Sequence, residues 1–410
     1  MHTLSKILTT AALMAFHPLT ASAQTSAETE NISQREIPTS ETQPADGNAP
    51  VKPKLQLFSL QGADTTSVSI QFAFVPFVGT NGIYSGNTIN DVSFNLLGGY
   101  SAGTRAFEMA GLFNINRGDM TGVQLAGLFN QVGGKVDGVQ LAGLFNSNLQ
   151  DIKGVQLAGL TNFTTGTVDG VQLAGLANFS PKSVKGVQLS GLLNFSAQNL
   201  EGTQVAGLAN FTAQNVRGSQ VAPFNFGSKV DGFQLGLINY ADSMSGVPVG
   251  LISFVRSGYH TVEISANEVL PMNLALRTGK REFYNILFAG MRPEIAEDVT
   301  WSFGYGIGTS PRLGRNVFLN IEASSEQLNK GHVEALNLIN RLHVAAEIQL
   351  VKKLAIFAGP TLNFRVFDDS FPDHPELFTY AKPQIRNERS HPEDISSQWW
   401  WGFRAGFRFF

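Results

Sequence analysis

The chain contains no cysteine, has a formal net charge of only −3, and lacks any apolar run long enough to cross a bilayer as a helix. Without cysteine it cannot form disulfides, thiolate metal sites or a cysteine-linked lipid anchor. The near-neutral charge gives no indication of a nucleic-acid partner. If the chain enters a membrane it must do so as a β-barrel, because only helices and closed barrels satisfy their backbone hydrogen bonds in lipid.

Catalytic and metal-binding motifs are missing as well. No nucleophile elbow or other named catalytic motif occurs, and a chain built of copies offers few unique residues for chemistry. His374 and His391 lie in a polar segment, 367–398, among several carboxylates, but their spacing matches no known ligand set. We therefore expect a solvated loop there. The sequence predicts a protein that is not an enzyme and has no catalytic, cofactor-binding or metal-binding residues.

A repeat with a period of sixteen residues occupies about 105–255. The phrase GVQLAGLFN begins at Gly122 and again at Gly138, and variants begin at Gly154, Gly170, Gly186, Gly202 and Gly218. A fixed period without insertions indicates one small structural unit laid against copies of itself. The last units, which begin at Gly232 and Gly246, are fourteen residues apart, as expected for atypical repeats at the end of an array.

Two architectures fit this unit: one coil of a β-solenoid, or one strand and turn of a meander. Equal unit lengths favour stacked coils, because a closed barrel needs stagger between its strands. In a solenoid the amide side chains that recur in phase can form hydrogen-bonded ladders. These side chains are Gln124, Gln140, Gln156, Gln172, Gln188, Gln204, Asn130, Asn146, Asn162, Asn178, Asn194 and Asn210.

The residue before each leading glycine alternates in sign, in the order Asp137, Lys153, Asp169, Lys185, Glu201, Arg217. In a solenoid these residues would be neighbours of opposite charge. In a meander the acids would gather on one rim and the bases on the other, so the pattern alone fits both. The interior of a thin coil requires small side chains, so small residues such as Gly175 and Ala177 favour the solenoid. We therefore predict a solenoid, with a larger meander barrel as the alternative.

The amino-terminal residues read as a secretory signal. Lys6 precedes an apolar stretch, and Ala21, Ser22 and Ala23 form a small-residue cleavage site. We assign 1–23 to a signal peptide cleaved near Ala23, and the polar segment 24–53 to a disordered linker. The mature chain is expected outside the cytoplasm.

The carboxyl-terminal residues alternate strictly between two faces, with Trp399, Trp401 and Phe403 on one and Arg404 and Arg408 on the other. An aromatic strand that ends in Phe resembles the closing strand of bacterial outer-membrane barrels. Eight such runs in 256–410 and two in 54–104 predict ten barrel strands. Their connections alternate between short turns and the long segments 325–340 and 367–398, as in those barrels.

Alternation also points four polar side chains into the predicted barrel. These are His343, Glu347, Arg404 and Arg408. They could line a path for solutes or form a satisfied polar interior. The polar interior is favoured over a path for solutes, because side chains largely fill the lumen of a barrel of about eight to ten strands.

The repeat units GVQLAGLFN and GFQLGLIN, with LALRTGKREFYNILFAG and LAIFAGPTLNF further along, resemble a bacterial surface-repeat family of cell-envelope proteins. The resemblance covers about 105–255 and implies an envelope location without catalytic residues. We predict an all-β outer-membrane barrel of a Gram-negative bacterium, in contact with membrane lipid. The repeat module, inserted between barrel strands, would be structural or adhesive, with an envelope polymer or protein as partner. The alternative is a channel in which the repeats add strands to the barrel.

Overall fold

The computed structural model describes residues 65–294, 298–333, 335–368, 370, 376–378, 382–391 and 394–410. The predicted signal peptide and linker lie outside these residues. The described chain is all-β apart from a short 3-10 helix, Gly82–Asn87. No described helix is long and apolar enough to cross a membrane.

The first part of the described chain is a parallel β-solenoid of roughly ten coils. Its strands are β1 (Thr66–Val75), β2 (Val78–Gly79), β3 (Thr88–Asn95), β4 (Gly98–Ser101), β5 (Gly103–Ala110), β6 (Phe113–Asn116), β7 (Met120–Ala126), β8 (Phe129–Val132), β9 (Val136–Ala142), β10 (Phe145–Asn148), β11 (Ile152–Ala158), β12 (Thr161–Thr164), β13 (Val168–Ala174), β14 (Ala177–Ser180), β15 (Val184–Ser190), β16 (Leu193–Ser196), β17 (Leu200–Ala206), β18 (Ala209–Thr212), β19 (Asn215–Val221), β20 (Phe224–Met244) and β21 (Val247–Val255).

Each sixteen-residue unit forms one coil with two strands and two turns. Strands β11 and β13 pair in parallel, with Gly154 beside Gly170 and Gln156 beside Gln172. The same register recurs from β7 to β19. The predicted solenoid is therefore confirmed, and the meander is excluded because consecutive units run in the same direction.

The interior of the coils combines one apolar column with amide side chains. One buried apolar residue per coil forms the column, which contains Met120, Val136, Ile152, Val168, Val184, Leu200, Val216 and Val230. Gln172 and Asn178 are fully buried, whereas Gly175 lies in an exposed turn. The predicted fold is correct, but Gly175 does not lie inside the coil as the sequence argument assumed.

The prediction of barrel strands in 54–104 is wrong for the described part of that range. Strand β3 pairs in parallel with both β1 and β5, so these strands are the first coils of the solenoid. They lack the GVQLAGL phrase, and a rung of a coil has the same alternation as a barrel strand. The solenoid therefore precedes the barrel and is not inserted between its strands.

The second part is a closed antiparallel barrel of eight strands. They are β22 (Tyr259–Asn267), β23 (Met272–Lys280), β24 (Phe283–Arg292), β25 (Thr300–Thr309), β26 (Val317–Lys330), β27 (Asn337–Val351), β28 (Leu354–Asp368) and β30 (Ile395–Phe409), with β29 (Arg386–His391) paired to β30 outside the ring. Pairing of Ile264 with Phe407 closes the barrel. All eight predicted runs after residue 256 correspond to these strands.

The two ends of the barrel differ. Turns 281–282, 310–316 and 352–353 lie at one end, the short-turn end, together with the chain terminus and the entry from the solenoid. The strand ends that are joined by the connections 268–271, 293–299, 331–336 and 369–394 lie at the other end. The predicted long segment 325–340 is mostly strand, because β26 and β27 extend their pairing well into it.

Gly170 illustrates why every leading position of the repeat is glycine. Its φ is +147°, and a Cβ atom there would lie 1.9 Å from the carbonyl oxygen of Gly154 in the previous coil. Residues that carry a side chain rarely adopt this backbone conformation. The carbonyl oxygen of Gly154 cannot move away without breaking the register between the coils. Glycine is therefore required by both conformation and space.

We expect Gly170→Ala to lower the free energy of unfolding of the solenoid by more than about 1 kcal/mol. Pulse proteolysis over a urea series measures this. The matched control is Gly314→Ala, since the nearest atom to a Cβ there is 3.7 Å away. Equal stability of the two variants would contradict the assigned register.

Candidate functional site

The outer surface of the barrel is apolar and exposed. Leu274 is 57% exposed, Trp401 55% and Phe403 56%. Further exposed residues on this surface are Val262, Ile264, Leu276, Ile307, Ile321, Leu342, Val344, Phe364 and Phe407. Each alternates along its strand with a residue that points inward, so the outer surface of the barrel is largely apolar.

The interior near the short-turn end is an ionic network. Arg408 donates to Glu263 at 2.8 Å, to Glu322 at 3.0 Å and to Glu347 at 2.5 Å. Arg277 contacts Glu263 at 2.6 Å and Glu322 at 3.0 Å. These five side chains are at most 1% exposed. Mutual pairing of this kind is what makes buried charges tolerable.

Three further side chains complete this network. Arg404 pairs with Glu263, and His343 lies 3.4 Å from Glu322. Arg281 covers the short-turn end, where it contacts Glu347 at 3.2 Å and stacks on the Phe318 ring at 3.7 Å. The network thus has three carboxylates, four guanidinium groups and one imidazole, and Arg281 is its partly exposed member.

A second cluster occupies the other half of the lumen. Glu268, from connection 268–271, reaches inward and accepts hydrogen bonds from the Trp400 indole at 2.9 Å and from Asn363 at 3.0 Å. Arg341 pairs with Glu326 at 2.9 Å, and Trp400 is fully buried. Together the two clusters fill the lumen with side chains, as the small diameter of an eight-stranded barrel allows.

The structure places all four sequence-predicted interior residues inside the barrel, where His343, Glu347, Arg404 and Arg408 belong to one network. Sequence reasoning did not single out their partners Glu263, Glu322 and Arg277. Part of the signal was present, since Glu263 and Glu322 each lie between outward-facing apolar residues and Arg277 follows the exposed Leu276. Alternation could have identified them as inward-facing charges, but it does not determine which of these charges pair.

The predicted amide ladders run along the solenoid interior. Each Gln donates to the Gln one coil earlier, at 2.7 to 3.0 Å from Gln140 to Gln220. Each Asn donates to the Asn one coil later, at 2.9 to 3.0 Å from Asn114 to Asn210. The second hydrogen of each Asn amide is also satisfied, as in the 2.8 Å bond from Asn162 to the carbonyl of Leu173.

Glu108 replaces glutamine at the start of the Gln ladder. It is completely buried and accepts hydrogen bonds from Gln124 at 2.9 Å and from Thr104 at 3.1 Å. Burial raises the pKa of Glu108 above its ordinary value, while these hydrogen bonds act in the opposite direction. A carboxyl group suits this position because the ladder donates toward it and its oxygens can act as the final acceptors.

The histidines that the sequence offered as candidate metal ligands, His374 and His391, do not define a metal site in the described residues. His374 lies outside the described residues, and only the backbone of His391 is described. In the part of the chain that the structure covers, no three His, Asp or Glu residues are grouped so that they could hold a metal ion.

Comparison with known proteins gives no relative. No family model, no curated protein and no solved structure matches this chain. The resemblance of the repeats to a surface-repeat family therefore stays a prediction, and the function must be argued from the geometry.

We expect Arg408→Met to destabilise the barrel by about 3–5 kcal/mol, because it leaves three buried carboxylates short of a counter-charge. Urea unfolding followed by Trp fluorescence measures this, since all four Trp residues lie in the barrel. Arg315→Met, at an exposed short turn, is the control. A barrel as stable as the control would show that the network contributes little.

The Glu108 carboxyl should make solenoid stability depend on pH. Since its folded pKa is raised, its stabilising contribution is fully present below the unfolded pKa of ~4.3 and is lost as pH rises through the folded pKa. We expect Glu108→Gln to flatten the decline in unfolding free energy that begins as pH rises above the unfolded pKa. Pulse proteolysis at several pH values measures it. Glu201→Gln, at a half-exposed carboxylate, is the control for loss of a charge at the surface of the coils, and a wild-type slope in Glu108→Gln would contradict the assignment.

Proposed function

We propose that this chain is an integral outer-membrane protein without enzymatic activity, anchored in lipid by its barrel. The supporting observation is the reversed polarity of the barrel, with apolar side chains such as Leu274 and Phe403 exposed outside and Arg408 and Glu263 buried inside. Soluble monomers rarely expose contiguous apolar surface beyond a few hundred Å². A hydrocarbon environment is where such an outer surface is stable.

The barrel serves as an anchor and not as a channel. Its lumen contains the ionic network around Arg408 at the short-turn end and the cluster around Trp400 and Glu268 in the other half. The sequence-based alternative, in which the repeats widen the barrel, is wrong because the repeats pair in parallel within a separate sheet. Solute passage would require this packed interior to rearrange.

The orientation follows from the two ends of the barrel. Bacterial outer-membrane barrels have short turns on the periplasmic side and longer loops outside. The solenoid enters the barrel at Tyr259, at the short-turn end. We therefore place the solenoid on the periplasmic side. A structural role within the envelope fits this placement better than adhesion to other cells, and any envelope polymer or protein partner would meet many equivalent positions along the coils.

Membrane integration can be tested by alkaline carbonate extraction and by gel mobility before and after boiling. We expect the chain to stay in the membrane pellet and to migrate faster unboiled, because a folded outer-membrane barrel resists SDS. In planar bilayers we expect no stable open conductance. Release of the full-length chain by carbonate would contradict the anchor, whereas a steady large conductance would contradict the filled lumen.

A further inference from the structure

The two edges of the solenoid have opposite character. The turn that joins the two strands of a coil carries a glycine and an exposed leucine, and these form the Leu edge, which contains Leu112, Leu128, Leu144, Leu160, Leu176, Leu192 and Leu208. The charged edge lies at the opposite turn and contains Lys135, Asp137, Asp151, Lys153, Asp169, Lys182, Lys185, Glu201, Arg217, Lys229 and Asp231. The edges face opposite directions across the width of every coil.

Charge is absent from the Leu edge between Gly122 and Phe226. From Gly122 to Phe226, each stretch that begins at a leading glycine and runs through the Leu edge to the end of the second strand has no Asp, Glu, Lys or Arg. Leu141 and Leu157 flank a shallow trough of about 910 Å³ beside this edge, whose lining is almost entirely Leu, Ala and Gly. An array of this length with one uncharged edge is an amphipathic surface.

The junction with the barrel sets the direction of both edges. The last rung, β21, packs on the outside of β23 and β24, so the coils stack away from the barrel wall. At the charged edge, His260 lies 2.5 Å from the carbonyl of Val255, close to the short-turn end. At the Leu edge, the Tyr305 hydroxyl donates to the carbonyl of Gly250 at 2.7 Å.

These two contacts fix how far the Leu edge reaches along the barrel. Tyr305 lies four residues inside the end of β25 at Thr309, which corresponds to at most about 14 Å along the strand. Tyr305 is paired with Leu287, and Leu287 with the exposed Leu276. The Leu edge therefore lies level with the apolar outer surface of the barrel, while the charged edge lies at the rim.

We propose that the solenoid lies in the plane of the membrane as an arm extending from the barrel, with its Leu edge immersed in the hydrocarbon of the periplasmic-side leaflet and its charged edge in water. This inference rests on the proposed membrane anchor. The occupant of the Leu edge is phospholipid, because the edge is continuous with the surface that the anchor presents to lipid. With roughly ten coils at ~4.8 Å each, the arm is on the order of 50 Å long.

The physical requirements for such immersion are met in the coils. Backbone groups of neighbouring coils pair along the array, and the buried amides are paired in the two ladders. Lipid therefore meets no unsatisfied backbone edge except at the ends of the array, which is the condition that hydrocarbon imposes. Amphipathic elements that lie in the interface immerse their apolar face by ~5–10 Å, a depth available to this edge.

The absence of cysteine allows a direct test with single Leu→Cys variants of the full chain, labelled with a fluorophore and reconstituted into phosphatidylcholine–phosphatidylglycerol vesicles. Leu144→Cys and Leu176→Cys report on the Leu edge. Leu149→Cys is the matched control, since Leu149 is 51% exposed against 39% for Leu144 but lies toward the charged edge. Leu342→Cys reports on the outer surface of the barrel. Brominated lipid and aqueous iodide serve as quenchers, and heat-modifiable mobility confirms that each variant is folded.

We expect the ratio of bromolipid to iodide quenching at positions 144 and 176 to match that at 342 and to exceed that at 149 severalfold. A lipid-exposed label at 342 with water-exposed labels at 144 and 176 would overturn the arm while leaving the anchor intact. Labels at 144 and 176 shielded from both quenchers would show that protein covers the edge, which also overturns the inference. A water-exposed label at 342 would contradict the proposed anchor itself.

Discussion

Register between consecutive coils is the constraint on which the solenoid depends. When units of equal length stack in parallel, each residue lies beside its own copy at about 4.8 Å. Such positions can be occupied only by side chains that pack or hydrogen-bond favourably against an identical side chain. Amides do so because each carries both a donor and an acceptor, and Gln172 is accordingly bonded to Gln156 and Gln188. Phenylalanine stacks on itself, as Phe129 does on Phe145 at 4.9 Å.

For charged residues the same constraint excludes identical neighbours, because like charges repel. A lysine beside a lysine would be repelled along the whole array, so the sign alternates from coil to coil. Lys153 lies between Asp137 and Asp169 in the register, and Arg217 approaches Glu201 at 3.2 Å. Glycine at the leading positions follows too, because a side chain such as a methyl at Gly170 would meet the backbone of its copy. One geometric rule thus accounts for the glycines, the amides and the charges of the repeat.

The barrel buries its polar groups through unique contacts between strands, whereas the solenoid buries them through repeated contacts between identical positions. This difference explains what could be predicted from the sequence. Sixteen-residue periodicity predicted the register, the ladders and the alternating charges, because like positions meet. Period-two alternation predicted ten barrel strands, of which the eight after residue 256 are confirmed, and the inward direction of His343, Glu347, Arg404 and Arg408. It could not separate β1 and β3 from barrel strands, because alternation is the same in both. Which inward charges meet depends on strand stagger, so the pairing of Arg277 with Glu322 was not accessible.

The junction shows how the two parts stabilise each other. A stack of coils ends in rungs with unpaired edges, which are prone to association with other strands. Here the barrel wall covers the last rung, and His260 stacks on Phe254 at 4.5 Å, so the aromatic column of the solenoid ends on the first barrel strand. The ladders end there as well, since Asn239 donates to Ser253 and Pro248 occupies the next Gln position. The last rung, β21, thereby ends both ladders with its own residues, and the barrel wall covers that rung. Coils in the middle of the array pair with a neighbour on both sides, and the last coil is closed by the barrel.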